Sequence, residues 1–142
     1  GPLMGPAEQG FLGPVSRADM PALMRSAAVL VLPSVPVPGW MEQFGVTVIE
    51  AMAVGTPVVT TDCGAFREIV PSVNMTYRYD HGFHPVVPAG RWDLLRDMVN
   101  LLLGDPALWQ ACSGACQYRA VHTYGHEAVG AQLREAYGHF LA

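Results

Sequence analysis

Apolar positions along this chain change their period several times, and each change marks an element. Met20, Leu23 and Met24 recur at spacings of three and four, which predicts a helix at 20–26. Ser16 is placed to cap it, with Asp19 near its positive end and Pro21 in its first turn. The run AAVLVLP at 27–33 has no polar alternation, which is how a strand covered on both faces of a parallel sheet reads. A short apolar helix beginning near Val46 is broken by Gly55-Thr56-Pro57, and a second buried strand follows at 58–61. Val86-Val87 predicts a third strand that ends at Pro88, while Phe11 to Val15 reads as a strand end and loop. The remainder is helical in pattern. DLLRDMVNLLL at 93–103 is amphipathic with a stop at Gly104, Asp105-Pro106 starts the next helix, and 109–121 and 127–141 read as two more, separated at Gly125.

The stretch MEQFGVTVIEAMAVGTPVVTTD, at 41–62, carries the chemistry. Gly45 lets the backbone approach a bound group, and the helix start after it offers free N–H groups with the positive end of a dipole, a place for a phosphate or carboxylate. Glu50, one turn in from Val46, leans back toward that end and is able to accept hydrogen bonds from hydroxyls. Two carboxylates beside an anion site suit a polyol attached to a phosphate, which is the chemistry of a nucleotide sugar. Taken singly these features are ordinary, because the dipole alone favours a Glu there and Gly-Thr-Pro is common turn punctuation. Their combination is informative: Glu42 and Glu50 with seven residues between them, the Phe44-Gly45 turn, then EAMAVGTPVV. The Pro-rich loop at 34–41 lies at the carboxyl end of its strand, where open α/β sheets bind ligands. Its Trp40 either stacks on a sugar or aglycone or anchors the loop on the core.

Glu42 to Glu50, followed by Ala51-Met52-Ala53 and Gly55-Thr56-Pro57-Val58-Val59, resembles the E-x7-E signature of the family 4 (group 1) retaining glycosyltransferases of GT-B architecture. The flanks follow the same order: Phe11-Leu12-Gly13, the helix at 20–26, a strand ending in Pro33-Ser34, then Gly64 and Glu68. The similarity covers 10–142 and is strongest over 29–70. It implies an α/β fold with a Rossmann-like parallel sheet and flanking helices, the second half of a GT-B C-terminal domain. It further implies transfer from a nucleotide sugar with retention of configuration and no catalytic metal or other cofactor. Glu42 would serve the reaction by holding hydroxyls of the transferred sugar. Ser34, Phe44, Gly45, Val46 and Thr47 would bind donor sugar and phosphate, and Glu50 the ribose, with Gly64 and Glu68 in support. Two departures from the pattern bear on sugar specificity: the loop at 34–41 is longer and richer in Pro, and Gln43 stands where a small residue is common.

Composition narrows the remaining choices. A net charge of −4, with all eight basic residues Arg and no Lys, gives no footprint for nucleic acid. No apolar run is long enough to span a membrane. Cys63, Cys112 and Cys116 form no CxxC pair and read as reduced thiols, which with the absence of a signal peptide points to the cytoplasm. His122 and His126 are four apart but straddle Gly125, so a metal between them is not expected. No G-x-G-x-x-G after a strand, GK[ST] loop, H-E-x-x-H or G-x-S-x-G is present, which removes dehydrogenases, ATPases, zinc proteases and serine hydrolases.

Gly1-Pro2-Leu3-Met4 reads as the remnant of a cleaved tag, leaving 5–142 as a partial nucleotide-sugar-binding domain. By the family comparison, the basic pair that neutralises the donor diphosphate and the acceptor domain are missing, and Arg67 and Arg91 are the remaining cations considered for that charge. The chain alone is therefore expected to be inactive. A bare strand edge at 29–32 is expected to pair with a second copy or a complementary chain. The alternative is a non-catalytic interaction or nucleotide-sugar-binding module that associates with a partner chain.

Overall fold

The computed structural model describes residues 10, 12–75 and 82–141. The elements are α1 (Met20–Ser26), β1 (Leu30–Leu32), α2 (Val46–Ala53), β2 (Val58–Thr61), α3 (Phe66–Ile69), β3 (Val86–Val87), α4 (Trp92–Gly104), α5 (Pro106–Arg119) and α6 (His126–Leu141), with a π-helical turn at Ala120–Tyr124 between the last two. The three strands form one parallel sheet in the order β1-β2-β3. Leu30 to Leu32 align with Val58 to Thr60, and Thr60 and Thr61 with Val86 and Val87.

The central strand β2, a run of four β-branched residues, is buried at all four positions. Because side chains alternate across a strand, Val58 and Val59 feed different cores. Val58 joins Val48, Met52, Phe66 and Ile69, whereas Val59 joins Phe83, Val87, Leu95, Leu102 and Leu108. Helices α2 and α3 thus cover one face and α4 the other, and α5 contributes Cys116 to the first core and Leu108 and Cys112 to the second.

Four expectations need correction. Strand β1 is not covered on both faces: Leu30 and Leu32 pack partly against the first core, but Val31, pointing the opposite way, is 37% exposed. Among the described residues it is an edge strand, paired on one side only. Leu12 and Gly13 form no strand and Leu12 is exposed; Phe11 lies outside the described residues, as do Gly1 to Met4. Ser16 caps the turn before α1 rather than the helix itself. Its hydroxyl accepts from the Asp19 N–H and donates to the Asp19 carboxylate at 2.6 Å, while Asp19 is the N-cap residue. The helix from Pro106 continues as the π-helical turn to Tyr124 before breaking at Gly125, whose ψ of 150° is extended. Among the described residues no helix is long and apolar enough to cross a membrane.

Candidate functional site

The loop after β1 is fixed at its root by two buried threonines of β2. The Thr60 hydroxyl donates to the Leu32 carbonyl at 2.6 Å and the Thr61 hydroxyl to the carbonyl of Ser34. These bonds satisfy the buried hydroxyls and hold the half-buried Ser34 at the carboxyl end of the sheet. Beyond it, Val37 and Trp40 exchange backbone hydrogen bonds of 3.0 and 2.9 Å around Pro38-Gly39, a two-residue turn that lifts the loop clear of the core. Trp40 is 52% exposed and is not among the residues packed in either core cluster.

Glu42 is half-buried, and its Oε1 accepts from the Gly45 N–H at 3.2 Å. One carboxylate oxygen is thereby held against the start of α2. Gly45 sits at φ 67° as the N-cap, and a Cβ there would meet the buried Phe66 ring at 2.3 Å. Gly64, at φ 66°, approaches even closer: its Cβ would lie 1.7 Å from the Glu42 carbonyl oxygen. Only glycine fits either place, and the two contacts lock the 34–45 loop to the loop after β2. Phe44 is exposed and meets Tyr124 edge-on at 5.7 Å, tying the turn to the π-helical segment. Val46 and Thr47 are exposed on the first turn of α2.

The two carboxylates line different hollows. Glu42 borders one of about 300 Å³ with Gly39, Trp40, Met41 and Gln43. Glu50 is exposed and borders one of about 520 Å³ with Val15, Arg17, Met20, Pro21, Met24, Ala53 and Val54. Arg17 was not among the candidates from sequence. It sits in the irregular segment before α1, and nothing in its local pattern connects it to Glu50. The two arginines considered for a diphosphate are engaged with carboxylates instead: Arg67 with Asp62 at 2.7 Å, and Arg91 with Asp93 at 2.6 Å. The Arg91 guanidinium lowers the Asp93 carboxyl to about 2, chiefly by hydrogen bonding. Gly64 contributes through its close approach to Glu42. Glu68 is exposed, and its main-chain carbonyl accepts from Arg119 at 3.1 Å.

His122 is occupied within its own helix, with Nδ1 2.9 Å from the Tyr118 carbonyl and its ring stacked on Tyr118 at 4.0 Å. Among the described residues no group of three or more His, Cys, Asp or Glu is placed to hold a metal ion.

A parallel α/β sheet with flanking helices, and loops gathered at the carboxyl ends of its strands, defines a Rossmann-like domain. The chain belongs to the group 1 glycosyltransferases: the sequence model of "Glycosyl transferases group 1" matches residues 3–115. It is 35% identical over 129 residues to a phosphatidyl-myo-inositol mannosyltransferase of Mycobacterium leprae, covering 89% of this chain and 30% of that protein. It is 30% identical over 128 residues to an MMP alpha-(1->4)-mannosyltransferase of Mycolicibacterium hassiacum, covering 90% and 28%. Among solved structures it is similar to the sucrose-phosphate synthase of Thermosynechococcus elongatus, a GT-B enzyme, with a TM-score of 0.71, 25% identity and coverage of 92% of this chain and 30% of that one. The chain thus spans about 30% of the length of the relatives it matches.

Proposed function

We propose that residues 5–142 form the donor-binding part of a glycosyltransferase that moves a hexose from a nucleotide sugar with retention of configuration. The observation that carries this is the pair of hollows joined by one helix: Glu50 lies on α2, and Glu42 is hydrogen-bonded to the residue that caps it. A nucleotide sugar has the matching two-part shape. The larger hollow offers mostly apolar walls to the nucleoside, with Glu50 to accept the ribose hydroxyls and Arg17 as a cation on the same hollow. The smaller hollow receives the hexose against Glu42, the group assigned to the reaction. The diphosphate crosses the start of α2, where the Phe44, Gly45, Val46 and Thr47 main chain lies, beside Ser34. Gly64 and Glu68 support the arrangement, and no metal takes part. The names of the relatives make mannose the first hexose to test.

We further infer that the transfer step needs more polypeptide than the 30% of its relatives' length that this chain spans, and that the chain alone binds donor without turning it over. Strand β1 presents its free edge to the complement, a second copy or a separate chain. Three free buried thiols fit a reducing compartment, and the cytoplasm is where the reaction is placed.

Calorimetry of nucleoside diphosphates and nucleotide sugars against the chain tests the donor site. Glu50→Ala should weaken binding by roughly 1.5–3 kcal/mol, about 10- to 150-fold, through loss of charged hydrogen bonds. Glu50 is exposed, so the substitution leaves the core intact. Absence of saturable binding up to millimolar ligand, with a protein partner captured instead, would favour the non-catalytic module.

A further inference from the structure

We propose that Trp40 is a stacking platform for the transferred hexose, making the hollow it shares with Glu42 and Gln43 a sugar subsite with a defined wall. The inference rests on the donor-site assignment above and adds a specificity-determining residue to it.

A pyranose presents a patch of C–H groups on a ring face and hydroxyls around its rim. Recognition therefore calls for an aromatic plane, whose negative face attracts the C–H patch, together with polar groups at its margin. Here one hollow is lined by Trp40, Glu42 and Gln43 together with Gly39 and Met41, residues that carry an indole, a carboxylate and a carboxamide. The carboxylate bond to the Gly45 N–H uses one acceptor position of Glu42 Oε1 and leaves others for sugar hydroxyls, while Gln43 both donates and accepts.

The way Trp40 is held supports a role beyond packing. Its side chain keeps 52% of its surface exposed, so core burial does not explain it. Its backbone is pinned on both sides by the reciprocal bonds with Val37. The intervening Pro38 has a fixed φ, so the turn is stiff and the indole is presented at low entropic cost. An exposed aromatic at the tip of a rigid turn, next to a carboxylate oriented by a helix start, is pre-organised for a ligand with one apolar face.

Exposure also makes the test clean, because Trp40→Ala removes no core contact. GDP-mannose and UDP-glucose are titrated by calorimetry against the wild-type chain, Trp40→Ala and Trp40→Phe, alongside GDP and UDP, which lack the hexose. The expected result is that Trp40→Ala weakens the nucleotide sugars roughly 3- to 10-fold relative to the bare diphosphates, which it leaves unchanged. Trp40→Phe, retaining an aromatic plane, should recover most of that loss. Equal effects on sugar-bearing and sugar-free ligands, or none on either, would overturn the stacking role while leaving the nucleotide site in place. If none of the four ligands binds, the donor assignment falls and the subsite with it. Loss of binding to phosphatidylglycerol vesicles in Trp40→Ala, with nucleotide-sugar binding intact, would likewise overturn it by assigning the exposed indole to a lipid surface.

Discussion

Two glycines carry the geometry around Glu42, and their substitutions separate a loop held by space from one held by side-chain chemistry. A Cβ on Gly64 would collide with a main-chain oxygen 1.7 Å away, at a φ of 66° that L-residues disfavour. A backbone atom cannot rotate aside as a flexible side chain can, so the 34–45 loop would have to move. Gly64→Ala should therefore destabilise the chain by about 2 kcal/mol or more, from left-handed strain plus the steric clash. It should also weaken nucleotide-sugar binding more than nucleotide binding, because Glu42 shifts with its main chain. Urea unfolding and calorimetry on the same variant check both parts, and wild-type behaviour in both would disprove the interlock. These close approaches were invisible in the sequence, where Gly64 was a supporting residue and Gly45 a place for backbone to meet ligand. What Gly45 meets within the chain is the ring of Phe66.

Among the elements, α5 does the most to hold the others in place. Asp105 caps it, accepting from the Ala107 and Leu108 N–H groups at 3.0 and 3.2 Å. Trp109 and Ser113 then donate to the carbonyls of Ala28 and Gly55 at 2.7 and 2.6 Å, binding α5 to the segments that flank β1 and β2. Cys112 and Cys116 of α5 are buried, and burial pushes their thiols up to about 12 and about 11. Both should resist iodoacetamide at neutral pH in the native chain and react once it is unfolded. A consequence for pH follows. Free thiols ionise near 8.5, so between about pH 8.5 and 11 the unfolded chain holds fewer protons than the native one. Stability is then full below about pH 8.5 and declines as pH rises toward the native values. Urea midpoints that stay level across that window would show that these thiols ionise alike in both states.

For the whole molecule, the sheet edge is the feature with the widest consequence. No described strand pairs with the outer side of β1, Val31 is 37% exposed, and an apolar hollow of about 270 Å³ bordered by Leu23, Met24, Leu30 and Ala51 lies alongside. Such an edge is a template for another strand. The proposed association predicts concentration-dependent oligomers by light scattering, which Val31→Lys should shift toward monomer without loss of fold. The Leu30 N–H donates to Pro57 within the sheet at 2.9 Å, so by strand alternation the Val31 amide reports on the outer edge; a strictly monomeric wild-type chain in which that amide exchanges freely would count against the association. Much of the architecture was legible beforehand. The helix at Met20–Ser26, the strands at Val58–Thr61 and Val86–Val87 and the break at Gly125 all stand where periodicity and turn residues put them. The π-helical turn and the half-exposed β1 were not legible, since both depend on what packs nearby rather than on local pattern.

Sequence by itself determined the elements, the family resemblance and the presence of two acidic residues beside a helix start, because these follow from local periodicity, turn chemistry and spacing. Tertiary structure alone decided how those acids are used. It set Glu42 with Trp40 in one hollow and Glu50 with Arg17 in another, and it engaged Arg67 and Arg91 with carboxylates. The physical reason is that a hollow is made by chain segments that meet only on folding, and no period along the sequence records which side chains will face each other across it.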